Sequence, residues 1–206
     1  MDVFLKGVVI GFSIAAPVGP IGLLCLRRTL AEGRTAGFVT GLGAATADAV
    51  YGIVAALGLS AVTVFLVGHR SVIQFLGSLF LLWLGFSMLR RPPPAGATPV
   101  GAARRRSLAT AYATTFVLTL ANPATLISFI GVFAGLGVAA RPGGFAPAAQ
   151  LVGGVFAGSA AWWLLLSSSA GFFASKIGTR RLRLIPVFSG VLIIAFGVLG
   201  LVAASG

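Results

Sequence analysis

Acidic residues are nearly missing from this chain. Asp2, Glu32 and Asp48 are the only three among 206 residues, beside a single His and a single Cys. Charged side chains of both signs make up 9%, where a soluble domain carries about 25%. Such a chain has too little polar material to clothe a water-facing surface, so most of it must face lipid or other helices. Cys25, being alone, excludes an internal disulfide and a CxxC redox pair. Asp48 has no His, Cys or second acid near it in sequence, which leaves an enzyme without a paired acid/base or nucleophile/base. The same shortage excludes a transition-metal ligand set, and no cofactor is expected.

What is present is apolar sequence, 58% of the chain, and a net charge of +12. The basic residues sit in short clusters between apolar runs, which is the pattern of membrane topology; nucleic-acid binding is not expected. A crossing of the ~30 Å hydrocarbon core needs about 20 apolar residues. Six runs fit: roughly Val3–Leu26, Gly37–Val67, Val72–Leu89, Ser107–Val138, Ala146–Ser175 and Leu184–Ala203. The fold class expected is therefore an all-α integral membrane protein with six transmembrane helices. The first run is read as a retained helix, because Asp2 replaces a basic n-region and no small-x-small cleavage site follows.

Lys and Arg divide unevenly among the loops. Arg27, Arg28, Arg34, Arg90, Arg91, Arg104, Arg105, Arg106, Lys176, Arg180, Arg181 and Arg183 fall on one side; Lys6, Arg70 and Arg141 fall on the other. The positive-inside rule places the rich side in the cytoplasm and both termini outside. Arg104-Arg105-Arg106 reads as a topology anchor that is also compatible with anionic lipid. One domain, 1–206, is expected: a first repeat of about 1–90, a cytoplasmic linker of about 91–106 containing Pro92-Pro93-Pro94, and a second repeat of about 107–206.

Three helices per half would insert the second half upside down relative to the first. Ala16-Pro17 is echoed by Asn122-Pro123. Gly43, Asp48 and Tyr51 have counterparts 111 residues later in Gly154, Ser159 and Trp162, and Gly77 and Gly85 answer Gly190 and Gly197. Inverted repeats with helices broken in corresponding places point to a transporter's midplane site.

The candidate binding residues follow from these breaks. Asp48 is the only acid well inside a span, where a carboxylate costs about 2.5–3.5 kcal/mol even on the lenient insertion scale. Gly37, Gly41, Ala44, Asp48 and Gly52 form one small-residue stripe that admits a neighbouring helix and points Asp48 inward. The alternative is a purely structural interhelical hydrogen bond. Tyr51, one turn on, serves either the carboxylate, the substrate or packing. Pro17 and Pro20 flank Gly19 and free the carbonyls of Ser13 and Ala16. Asn122-Pro123 frees the Thr119 carbonyl and reads as a helix restart, whose N-terminus suits a carboxylate. His69 reads as a solvated loop residue, Cys25 as a small core residue, and Trp162-Trp163 as packing or a cavity wall.

Taken together, these residues resemble the lysine exporter (LysE/RhtB-type) amino-acid efflux family over the whole chain. The resemblance rests on Ala16-Pro17-Val18-Gly19-Pro20 followed by Arg27-Arg28 and Gly33, on Gly43, Asp48 and Tyr51, and on Asn122-Pro123. It implies export of amino acids or related small amphoteric metabolites across the bacterial inner membrane, driven by protons or potential. One departure stands out: members often carry Lys directly after Asn-Pro, and here that position is Ala124. Asp48 would take the substrate ammonium or carry the coupling proton, with the broken helices supplying carbonyls and N–H groups. Expected partners are this solute and membrane lipids, and a homo-oligomer is compatible. Rival readings are a cation or metal exporter of the wider superfamily, or a non-transporting factor assisting cell-envelope lipid handling.

Overall fold

The computed structural model describes residues 2–17, 19–56, 64–65, 68–90, 102–122, 125, 128–129, 145–174 and 185–205. Among these the chain is all-helical, with no strand. Seven principal helices follow in order: α1 Val3–Ala15, α2 Pro20–Glu32, α3 Arg34–Ala56, α4 Arg70–Arg90, α5 Ala102–Leu120, α6 Phe145–Ala174 and α7 Ile185–Ser205.

Proline decides where the first helix breaks. Pro17 cannot donate to the ladder, so α1 closes on the Ala16 N–H to Phe12 carbonyl bond at 3.0 Å. Pro20 then opens α2 at its first helical position, where its missing N–H costs nothing. The two helices meet at 83°, so Pro20 starts a new helix at the break that Pro17, Gly19 and Pro20 mark in the sequence. α2 in turn stops at Gly33, whose φ of 93° only glycine adopts freely.

Arg34–Val54, Phe145–Phe172 and Val187–Ala204 are each long and apolar enough to cross a membrane, and the bent α1–α2 pair makes a fourth span if counted as one. Ser71–Ser87 and Ser107–Leu120 are apolar but shorter. The last part of the fourth expected span, 130–138, lies outside the described residues. Of the extended linker expected at about 91–106, residues 91–101 also lie outside them, whereas 102–106 already form the start of α5.

Backbones approach closely where small residues face one another. α1 packs along α6, α3 along both α6 and α5, and α4 along α7. A Cβ placed on Gly11 would fall on the Val155 carbonyl, and one on Gly158 would fall on the Val8 carbonyl. Without water to drive association, this intimacy supplies the dispersion energy that holds membrane helices together. The small-residue stripe of α3 behaves as its spacing suggests: Gly41 lies under the Trp163 side chain and Gly52 against Val152 and Val155 of α6. The central core gathers Ile10, Tyr51, Phe129, Leu151 and Val155.

Candidate functional site

Asp48 is 3% exposed, in the middle of α3. Its Oδ2 accepts a hydrogen bond from the Ser159 hydroxyl of α6 at 2.7 Å, and Ser159 accepts one from Trp163 Nε1 at 3.2 Å. The carboxylate is thus anchored by one neutral donor, itself oriented by an indole. Among the described residues no Lys or Arg pairs with it; the ion pair there is Arg28–Glu32 at 3.5 Å, at the far end of α2.

Asp48 lines a small cavity of about 60 Å³ together with Pro17, Gly19, Pro20, Ile21, Gly22 and Asn122, among others. This brings the α1–α2 break and the end of α5 to the carboxylate. The amides of Ile21 and Gly22 are the second and third of α2, so no carbonyl within the helix can receive them. Gly19, the N-cap, offers no side chain to cap them. An acidic group and an electropositive helix terminus therefore border one compartment.

A wider chamber of about 460 Å³ shares Pro17, Gly19, Pro20, Ile21, Asn122 and Thr125 with the small cavity and extends to α4 and α7, which line it together. Its size lies within the ~300–1,000 Å³ range of small-molecule sites.

Of the residues singled out from sequence, Asp48, Pro17, Gly19, Pro20 and Asn122 come together around these cavities. Ser13 is exposed on α1 and lines neither. Tyr51 is buried but turned elsewhere: its hydroxyl donates to the Leu120 carbonyl at 2.6 Å, and its ring lies 5.5 Å from Phe129. That carbonyl ends α5, where helical N–H donors run out, so the Tyr51 hydroxyl caps the helix before the Asn122 break. The Thr119 carbonyl is taken by the Asn122 N–H at 3.2 Å, so it is not left free. Pro123 and Ala124 lie outside the described residues.

Gln74 and Ser78 of α4 also line the chamber and were not foreseen. Gln74 donates to the Gly200 carbonyl at 3.2 Å and Ser78 to the Gln74 carbonyl at 2.7 Å. A glutamine inside an otherwise apolar run was the available signal. His69 is exposed and stacks on Phe65 with centroids 4.3 Å apart. Cys25 is buried against the Gly37 carbonyl. Among the described residues no three His, Cys, Asp or Glu side chains cluster to hold a metal.

A putative amino acid efflux protein, YcgF, of Bacillus subtilis (strain 168) is 26% identical over 204 residues, covering 96% of this chain and 94% of its own. A leucine efflux protein of Enterobacter sp. (strain 638) is 30% identical over 63% of this chain and 61% of its own. An uncharacterized membrane protein, YahN, of Escherichia coli (strain K12) is 30% identical over 52% and 48% respectively. No solved structure matches significantly. The profile of the LysE type translocators matches residues 12–203. With nearly its whole length inside that match, the chain belongs to the LysE type translocators, and is a multi-pass membrane transporter and not an enzyme.

Proposed function

We propose that this protein exports amino acids, or closely related amphoteric metabolites, across the inner membrane, using proton or potential energy. The observation that carries the proposal is the small cavity at the α1–α2 break, where the Asp48 carboxylate meets the open N-terminus of α2. A zwitterion presents an ammonium and a carboxylate on adjacent atoms. Asp48 takes the ammonium, and the Ile21 and Gly22 amides with Asn122 take the carboxylate. This arrangement dispenses with the basic residue that position 124 lacks. When no substrate is bound, Asp48 carries the proton, which makes substrate and proton alternative occupants of one carboxylate.

The proposal includes six spans in two inverted halves, with the arginine-rich loops in the cytoplasm and both termini outside. The packing supports the duplication. Exchanging first, second and third spans for fourth, fifth and sixth turns α1·α6 into α5·α3, and leaves α3·α6 and α4·α7 unchanged; all four contacts exist. Individual pairs obey the same exchange. Asp48 and Ser159, 111 residues apart, touch each other. Adding or subtracting 111 turns the contact of Gly41 with Trp163 into Val152 with Gly52, which is also present. A local two-fold through the Asp48–Ser159 contact accounts for these facts. Such an axis lets the halves exchange conformations and expose one site to either side in turn.

Resistance of overexpressing cells to toxic amino-acid analogues tests the function. Cells carrying the wild-type protein should tolerate several-fold more analogue, and cells carrying Asp48→Asn should tolerate no more than empty cells. Equal sensitivity of all three strains across the analogue panel would defeat the reading.

A further inference from the structure

The wide chamber has a chemical character of its own. Ile14, Ile21, Leu81, Leu118, Phe196 and Leu199 make its apolar wall. Its polar groups are neutral: Gln74, Ser78, Asn122, Thr125 and Ser128. Among the described residues no Asp, Glu, Lys, Arg or His lines it. Asp48 borders only the small cavity, so the charge of the site is confined to one end.

From this division, resting on the amino-acid reading above, we infer that the chamber receives the substrate's side chain and selects an uncharged, aliphatic one, with Gln74 of α4 a specificity-determining residue. A substrate held by its amino and carboxylate groups at the α1–α2 break projects its side chain past the shared residues toward the wall that α4 and α7 form together. An aliphatic chain there removes its surface from water against six apolar side chains. A basic or acidic chain gives up hydration and meets no counter-charge. At this wall a basic side chain would meet the Gln74 amide, with no carboxylate among the described lining residues to pair with it. Gln74 Nε2 is held by the Gly200 carbonyl of α7, so this amide sits in a fixed place on the wall and ties the two helices together.

Two measurements on the purified protein in proteoliposomes test the inference. The first is efflux of leucine, valine, lysine and glutamate from vesicles loaded at equal concentration. Wild type should favour leucine and valine over lysine and glutamate by at least about tenfold. Lysine or glutamate leaving as fast as leucine overturns the side-chain assignment while leaving amino-acid export intact. No efflux of any of the four overturns both this inference and the reading beneath it. The second is Gln74→Glu, which keeps the shape and adds the missing negative charge. The lysine-to-leucine ratio should rise at least about fivefold, while the ratio of glutamate to leucine falls further. An unchanged ratio in folded Gln74→Glu removes Gln74 from the account. Should that variant fail to insert, the wild-type panel decides the side-chain class alone.

Discussion

One hydroxyl and one indole fix the carboxylate on which the proposal turns. Ser159 donates to Asp48 at 2.7 Å and is itself held by Trp163 at 3.2 Å. A single hydroxyl donor contributes about 1.5–3 kcal/mol to a carboxylate, and it leaves room for a cationic ligand that a resident arginine would displace. Ser159→Ala should therefore still fold while its apparent affinity for substrate drops several-fold, read from the concentration dependence of efflux. Tyr51 contrasts with this. Its hydroxyl serves the Leu120 carbonyl and lines neither cavity. Tyr51→Phe should cost about 1–3 kcal/mol of stability by orphaning that carbonyl. Export per inserted molecule should stay close to wild type. Thermal melting in detergent, set beside efflux, distinguishes the two residues.

Among the elements, the α1–α2 pair unites the tightest packing with the sharpest break. Gly11 lies against the Val155 backbone of α6, so a methyl group there has nowhere to go. Gly19, at the break, has φ −111° and nothing within 4 Å of an added Cβ. Gly11→Ala should lower stability by about 1–3 kcal/mol, the usual cost of overpacking. Gly19→Ala should leave it within about 0.5 kcal/mol of wild type. Melting curves of the two variants check the pair, and equal losses would mean that α1 does not sit on α6 as described. The break itself was visible in the sequence because proline removes a donor wherever it stands. Its consequence was less visible. Two prolines around Gly19 read as a broken helix, whereas the 83° angle of the break and the packing of α2 on α3 and α6 involve residues far off in the sequence.

For the whole molecule, charge distribution and small-residue spacing carried most of the legible information. In the small-residue stripe of α3, Gly37 meets Thr29 and Cys25 of α2, whereas Gly41, Asp48 and Gly52 meet α6. The chamber walled by α4 and α7 was not legible, because its lining comes from four separated segments and is mostly ordinary apolar residues. Gln74 was visible as a glutamine in an apolar run, but its place on the chamber wall depends on neighbours from α5 and α7. The alternation of basic loops supports the proposed orientation, and it has its own check. With cysteines introduced singly into a variant lacking Cys25, His69→Cys in intact spheroplasts should react with an impermeant thiol reagent, and Gly96→Cys should not. Labelling at 96 would invert the topology and with it the direction of transport.

The Asp48 carboxylate is the proposed working group of the transporter, and one substitution tests it directly. Purified wild-type protein and Asp48→Asn should be reconstituted at equal density and loaded with labelled leucine, and efflux followed under an imposed proton gradient. Asn keeps the size and the hydrogen bond to Ser159 but carries neither a charge nor a transferable proton. The prediction is that Asp48→Asn inserts and melts like wild type or higher, since it removes a buried ionisable group, yet loses at least about 90% of efflux. Efflux by Asp48→Asn at the wild-type rate would contradict the central claim and leave Asp48 as an interhelical hydrogen bond.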